Sequence, residues 1–160
     1  MKAPAFRLLL AVLVCGTIGC DRVTKAVAVA RLSGTPRQSF LGDTVRLEYV
    51  ENAGAFLSLG ADLPPWARVS VFTVGTGLLL VGLAVAVLRG RYRGRLLVGF
   101  CLVLAGGVSN LADRLLQGNV IDFINLGFGP VRTGIFNVAD VAIMAGVALV
   151  LSGHPITGRR

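Results

Sequence analysis

The stretch LLLVGLAVAVLRGRYRGRLLVGFCLVLAG, Leu78–Gly106, contains two apolar runs on either side of a short arginine-rich segment. With the residues that continue them, the runs extend over about 66–88 and about 96–116. At 1.5 Å per residue, helices of these lengths measure roughly 34 and 31 Å, enough to cross the hydrocarbon core of a bilayer. The stretch therefore predicts two transmembrane helices joined by a tight basic loop.

Two further apolar runs, at about 6–32 and about 136–152, flank this pair. The 160 residues are 54% hydrophobic, and the mean hydropathy of +0.76 is well above the balance of a soluble domain. We expect one domain over residues 1–160, an all-α membrane protein with four transmembrane helices. The net charge of +8 does not indicate nucleic-acid binding, because the arginines flank apolar runs and do not form a face with interleaved aromatic residues.

Basic residues without acidic neighbours collect at one end of the predicted helices. They are Arg89, Arg91, Arg93 and Arg95 in the loop, Lys2 and Arg7 before helix one, and Arg159 and Arg160 after helix four. By the positive-inside rule this end, with both termini, is cytoplasmic. The other basic residues and all eight acids lie toward the extracytoplasmic side, so any carboxylate chemistry is expected there.

The N-terminal sequence MKAPAFRLLLAVLVCGTIGCD imitates a signal peptide, with small residues before Cys20. Three more predicted spans follow it, and Asp21 and Lys25 continue the segment on one helical face, so we expect a retained first helix. The cysteines Cys15, Cys20 and Cys101 lie in apolar runs without a CxxC pair, which favours packing roles over a metal site or a disulfide.

Residues 33–65 form the longest non-helical region. Within it TVRLEYV alternates between apolar and charged side chains, as a half-buried strand does, and NAGAF then turns through Gly54. We expect a small extracytoplasmic sheet between helices one and two, with an ordinary connecting loop as the alternative.

Three acids near the predicted membrane boundary differ in their surroundings. Asp113 is followed by Arg114, so a helix-packing role in an Asp–Arg pair is favoured for it. Asp122 has only apolar neighbours, and desolvation should raise its pKa. Asp140 follows Asn137 by three residues, which is typical of a capping box at the start of helix four.

Two carboxylates at membrane depth suggest aspartic protease chemistry. Such a pair shares one proton, so that one carboxylate activates a water while the other acts as an acid. The single histidine, His154, lies on the cytoplasmic tail, which leaves no histidine base at the outer side. A Ser–Lys pair with Lys25 remains formally possible, although no serine is marked out by its surroundings.

Five sequence blocks resemble the lipoprotein signal peptidase (signal peptidase II) family, in the family's order and over nearly the full length. They are DRVTK ending helix one, NAGAF after the strand, GGVSNLADR on helix three, VIDFI beyond it and FNVAD opening helix four. The resemblance implies a bacterial inner-membrane aspartic protease without metal or cofactor. Its substrates would be prolipoproteins, cut just before a cysteine that carries diacylglycerol, and lipid would fill the substrate groove.

The resemblance also implies the site residues. Asp122 and Asp140 would form the catalytic dyad. The residues implied to line the site are Asp21, Lys25, Asn52, Gly54, Gly106, Asn110, Arg114, Asn137 and Ala139. Asn110 and Arg114 would hold substrate carbonyls or the neighbouring polar network, Ala139 would leave room beside the dyad, and a monomer would suffice.

The chain departs from the family pattern at two places. Only Ala55 separates Gly54 from Phe56, where the family usually has two alanines, and Ser109 stands where a glycine is usual. These departures bear on the shape of the turn and on the tightness of a helix contact.

Two other functions compete with the protease: a proton relay or transporter that uses the same aspartates, and a non-catalytic assembly protein.

Overall fold

The structure of the protein is a computed structural model that describes residues 3–54, 60, 62–90 and 92–152. The helices in these residues are α1 (Ala3–Leu32), α2 (Pro65–Leu88, π-helical over Val69–Gly75), α3 (Gly94–Gln117) and α4 (Val138–Ser152). The strands are β1 (Gln38–Phe40), β2 (Val45–Asn52), β3 (Val120–Phe128) and β4 (Val131–Arg132). Some residues named above lie outside this part of the chain: Ala55, Phe56, Arg91, His154, Lys2, Arg159 and Arg160.

Helices α2 and α3 are long and apolar enough to cross a membrane, and α4 is apolar but shorter. Very little of α2 is buried inside the protein: Leu78 is 70% exposed and Leu79 is 67% exposed. Leucines left uncovered over a whole helix are expected where lipid, and not water, surrounds the protein. The exposed leucines and the helix lengths together support a membrane protein. The described chain is mostly helical, with two apolar helices of membrane-spanning length and a small antiparallel sheet.

Small residues bring α3 and α4 together. A Cβ atom added to Gly146 would lie 2.6 Å from the carbonyl oxygen of Gly99, and one added to Gly99 would lie 2.8 Å from that of Gly146. Farther along, Gly106 faces the carbonyl of Ala139. Because apolar burial adds little between helices in lipid, close backbone approach of this kind supplies the packing energy. Helices α1 and α2 also pack on α3, which is the central helix.

The sheet has the order β1-β2-β3-β4 with antiparallel neighbours. A sheet was predicted between helices one and two, and β1 and β2 lie there. The prediction was wrong in confining the sheet to that region, because β3 and β4 follow α3. The residues VIDFI were not recognised as a strand because a strand covered on both faces lacks apolar–polar alternation.

The hairpin of β3 and β4 brings the start of α4 back to the middle of β3. After β4 the chain runs along β3, and Phe136 and Ile124 exchange two backbone hydrogen bonds of 2.9 Å. Asn137, the next residue, then stands beside Ile121 and Asp122. Ala28 and Leu32 of α1 pack against Ile121 and Phe123 of β3 in a cluster of buried apolar side chains.

Substitution of Gly146 by alanine should destabilise the protein. Alanine ordinarily stabilises a helix by up to about 1 kcal/mol relative to glycine, but here its methyl group would collide with the Gly99 carbonyl, at an expected net cost of about 1–3 kcal/mol. The control is Gly82→Ala on α2, where a Cβ meets nothing within 4 Å. The unfolding temperature in detergent should fall for Gly146→Ala and stay level or rise for Gly82→Ala; equal behaviour would contradict the proposed packing.

Candidate active site

Asp122 lies on β3 opposite Val50 of β2 and is 2% exposed. Each carboxylate oxygen accepts one side-chain amide hydrogen bond, from Asn52 Nδ2 at 2.8 Å and from Asn137 Nδ2 at 2.7 Å. Asp122 forms no ion pair with any described residue. Burial raises the pKa of Asp122 to about 6, the two amide hydrogen bonds oppose that rise, and the charge of Asp140 adds to it.

Asp140 lies in the first turn of α4 and is half-buried. Its backbone N–H donates to Asn137 Oδ1 at 2.9 Å, and its Oδ2 accepts from the backbone N–H of Asn137 at 3.2 Å. The reciprocal pair of bonds confirms the predicted capping box. The other carboxylate oxygen accepts a hydrogen bond from Asn110 Nδ2 at 2.9 Å, which ties Asp140 to α3.

Asn137 is fully buried and connects the two aspartates. Its Nδ2 donates to Asp122, and its backbone N–H donates to Asp140. The same Nδ2 lies 3.2 Å from Asn110 Oδ1 and 3.3 Å from the carbonyl oxygen of Ile121. The side chain of Asn137 therefore connects strand β3, helix α3 and the start of helix α4.

Asn52, Gly54 and Arg114 form a second group beside Asp122. Asn52 Oδ1 accepts the backbone N–H of Gly54 at 2.9 Å, and Arg114 Nη2 donates to the carbonyl of Gly54 at 2.8 Å. The Nε of Arg114 is buried and has no hydrogen-bond partner among the described residues. Arg114 also lines a cavity of about 230 Å³ together with Arg68 and Asn119.

Asp21 and Lys25 form a buried layer behind the aspartates. Lys25 is 1% exposed; its Nζ lies 2.7 Å from Asp21 Oδ2 and donates to Asn110 Oδ1 at 2.8 Å. The other oxygen of Asp21 accepts the backbone N–H of Ala139 at 2.8 Å. Both residues were predicted to line the site. Lys25 acts on the site through its hydrogen bond to Asn110, and Asp21 acts through its hydrogen bond to the first turn of α4.

Gly106 and Ala139 meet in the same helix interface. Ala139 is completely buried, and its carbonyl would collide with any Cβ at Gly106. The pair allows α4 to approach α3 closely enough for Asn110 to reach Asp140. The observed arrangement makes this pair a packing contact behind Asp140.

Asp113 corrects one prediction from the sequence. It was expected to pair with its neighbour Arg114, but its carboxylate pairs with Arg22 and lies 2.7 Å from Lys25 Nζ, both on α1. Adjacent residues on a helix point about 100° apart, which is why Arg114 instead reaches Gly54. The inferred helix-packing role of Asp113 agrees with its 1% exposure at the α1–α3 interface.

Ser109 has a role that sequence reasoning missed. The serine was expected to affect the tightness of a helix contact, yet it is 1% exposed and its hydroxyl donates to Asp21 Oδ2 at 2.6 Å. Its position four residues before Asp113 places both on the face toward α1, and this spacing was the signal in the sequence. Ser109 therefore adds a hydrogen bond to the buried charge cluster.

The arrangement has the elements of acid–base chemistry on two carboxylates. The partly open Asp140 and the buried Asp122 share Asn137, and the raised pKa of Asp122 allows its carboxyl group to hold a proton up to about pH 6. Among the described residues no three Asp, Glu, His or Cys side chains converge as metal ligands would. The polar groups cluster at one end of the helices, whereas a proton relay needs them spread across the membrane.

Comparison with known proteins identifies the family. A family model described as signal peptidase (SPase) II matches residues 12–154. The chain belongs to the signal peptidase II family. Relatives named lipoprotein signal peptidase include those of Chlorobium phaeobacteroides (34% identical, covering 84% of this chain and 82% of the relative) and Treponema denticola (37% identical, 83% of each).

A solved structure described as a bacterial membrane enzyme superposes with a TM-score of 0.73, at 25% identity over 98% of this chain and 95% of that chain. A second, with the same description, gives a TM-score of 0.72 at 26% identity over 92% and 90%. Signal peptidase II proteins are membrane-bound aspartic proteases that cleave signal peptides from prolipoproteins. The family, enzyme class and reaction predicted from the sequence are therefore confirmed, and the relay alternative is not favoured.

Asp113→Asn should harm folding more than turnover. It removes the negative charge between Arg22 and Lys25, and loss of one partner from a buried charge cluster costs about 3–5 kcal/mol. We expect less folded protein and a lower unfolding temperature, with turnover per folded molecule changed less than about threefold. The control is Asp62→Asn, at an exposed position. A well-folded but inactive Asp113→Asn protein would indicate that Asp113 belongs to the catalytic pair.

Proposed function

We propose that the protein is an endopeptidase of the bacterial inner membrane that cuts diacylglyceryl-modified prolipoproteins just before the lipidated cysteine, with Asp122 and Asp140 as its catalytic pair. The observation that carries the assignment is their joint attachment to Asn137 at one end of the helices. Family membership supports the reaction, and the geometry supports these two carboxylates over Asp113, whose oxygens are committed to cations of α1.

In the proposed mechanism the pair carries one proton. The ionised carboxylate removes a proton from a water, whose oxygen attacks the scissile carbonyl carbon. The protonated carboxyl donates its proton to the carbonyl oxygen, which produces a tetrahedral gem-diol. When the C–N bond breaks, a carboxyl proton passes to the departing cysteine nitrogen and a gem-diol proton returns to the pair. The signal peptide leaves with a new carboxyl group, and the pair again carries one proton.

The neighbouring residues act as positioning groups in this proposal. Asn52 and Asn137 orient Asp122, and Asn110 orients Asp140 while Lys25 holds Asn110. Arg114 has a buried Nε–H without a partner among the described residues, so it is suited to receive a carbonyl oxygen of the substrate. Preorganised donors of this kind require little reorganisation during the reaction.

We further propose four membrane spans, with both termini and the loop at residues 89–95 in the cytoplasm and the catalytic pair at the periplasmic boundary. The distribution of basic residues supports this orientation. Along α3, Asn110 lies roughly 24 Å from the helix start, close to the thickness of the hydrocarbon core. A diacylglyceryl group anchored in the outer leaflet would present its cysteine at that depth. We also propose that the protein acts as a monomer, with lipid filling the substrate groove.

Replacement of either catalytic aspartate by asparagine should abolish cleavage. Asparagine keeps the size of the side chain but cannot exchange the shared proton, and loss of acid–base catalysis lowers rates by at least about 100-fold. The measurement is cleavage of a purified diacylglyceryl-modified prolipoprotein by Asp122→Asn and by Asp140→Asn, each reconstituted in phospholipid with its folding checked by thermal unfolding. Full cleavage by either variant would exclude that residue from the pair.

The matched control is Asp43→Asn. Asp43 belongs to the sheet region, pairs with Arg46 and contacts neither aspartate in the described structure. Its backbone has a φ of 68°, a left-handed conformation that asparagine tolerates well. Its cleavage rate should remain close to that of the parent. If wild-type protein also failed to cut the lipidated substrate, the protease assignment itself would be wrong.

The pH dependence should show the ionisation of Asp122. Its pKa is raised to about 6, with the Asp140 charge contributing, so the last proton of the pair is lost as the pH rises through about 6. We expect kcat/KM to fall above that pH. In the Asn52→Leu variant the Asp122 carboxylate loses one hydrogen-bond donor, so its pKa should rise further. The falling limb of the kcat/KM profile should then move up by about one pH unit. Asn119→Leu, which contacts neither aspartate, should leave the limb in place. An unchanged limb in Asn52→Leu would contradict the assignment.

A further inference from the structure

A large groove lies between α1 and α2 at the end of the molecule opposite the sheet. Its volume is about 1270 Å³. Its apolar walls include Leu10 and Val14 of α1 and Leu97 of α3. Helices α1 and α2 both pack on α3, which forms the floor of the groove. None of the residues assigned to the catalytic site lines it, so the proposed protease function leaves this groove unexplained.

The rim of the groove carries two arginines, Arg7 near the start of α1 and Arg93 immediately before α3. Neither forms an ion pair within the part of the chain that the structure describes. No acidic side chain is among the lining residues. Two cations facing one cavity without an acid favour an anionic occupant.

Tyr92 completes the rim. Its ring packs edge-on against Phe100, with ring centroids 4.6 Å apart. The residue is half-buried and lines the groove beside Arg93. Tyrosine is enriched where one end of a side chain contacts hydrocarbon and the other contacts head groups, so this rim has the composition of a membrane interface.

We propose that this groove binds one anionic phospholipid of the bilayer, with its phosphate between Arg7 and Arg93 and an acyl chain along α1 and α3. Basic pockets between transmembrane helices at the cytoplasmic side are suited to anionic head groups. A free phosphate ion would fill only a small part of this groove and would leave its apolar walls uncovered. A signal peptide is a poor occupant because its basic N-terminal region would be repelled by the arginines.

The test uses native mass spectrometry of the whole chain, purified in detergent. Phosphatidylglycerol and phosphatidylcholine with identical acyl chains are titrated separately. The parent protein should bind one phosphatidylglycerol at least about tenfold more tightly than phosphatidylcholine. The double variant Arg7→Gln/Arg93→Gln should bind phosphatidylglycerol about 30-fold more weakly, the effect expected for two basic residues near an anionic head group.

The charge-matched control is Arg89→Gln/Arg95→Gln, which removes the same charge at the same end of the molecule outside the groove. Its affinity for phosphatidylglycerol should change by less than about threefold. A second groove variant, Leu97→Trp, fills the apolar part without altering charge and should also weaken binding. Unfolding temperatures without added lipid verify that each variant is folded.

Several outcomes would overturn the proposal. If both double arginine variants bound phosphatidylglycerol equally weakly, the lipid would be attracted to the positive charge of this end of the molecule in general and not to the groove. Equal binding of phosphatidylcholine would mean an apolar groove without head-group selection. Displacement of the lipid by millimolar inorganic phosphate, with Leu97→Trp unaffected, would mean a simple anion site. Competition by a synthetic signal peptide would mean that the substrate occupies the groove.

Discussion

The carboxamide of Asn137 holds together the parts of the proposed site. It caps α4, donates to Asp122 on β3 and lies beside Asn110 of α3. Its position depends on the β3–β4 hairpin, which returns the chain to Ile124 immediately before α4 begins. A buried amide with every bond satisfied has one favoured orientation, because any rotation would leave polar atoms unpaired at high cost. The fold therefore fixes the position of the two aspartates relative to each other.

The second constraint is the buried charge cluster between α1 and α3. Asp21 and Asp113 carry two negative charges, and Arg22 and Lys25 carry two positive ones, so the cluster is neutral as a whole. Desolvation of these groups is costly, and the cost is offset only because the cluster is closely paired and hydrogen-bonded. Ser109 and the backbone of Ala139 supply two of those hydrogen bonds. Through Asn110 and the first turn of α4, the cluster fixes the surroundings of Asp140 without contacting its carboxylate.

Much of the helical architecture could be predicted from apolar runs, because crossing a membrane requires a length of chain that a sequence displays directly. The predicted ends at 66–88 and 96–116 lie within two residues of α2 and α3. The sheet was harder to predict. Its inner strand β3 is covered on both faces and lacks alternation, and its pairing with β2 joins segments far apart in the chain. The partner of Asp113 was predicted wrongly for a related reason: adjacency in sequence is not adjacency on a helix surface.

The sequence by itself determined the family, the enzyme class and the capping box of Asn137 and Asp140, because each depends on residue type and local spacing. It also pointed to Asp122, whose apolar neighbours require either burial or function. Only the tertiary structure decided which groups face that carboxylate, that Lys25 supports Asn110, and that Ser109 joins Asp21. These relations connect helices and strands that are distant in the chain, and they arise from close helix approach at Gly99, Gly106 and Gly146 together with the pairing of β2 and β3. No local pattern records them, because the energy that selects them comes from packing and from satisfying buried polar groups across the whole fold.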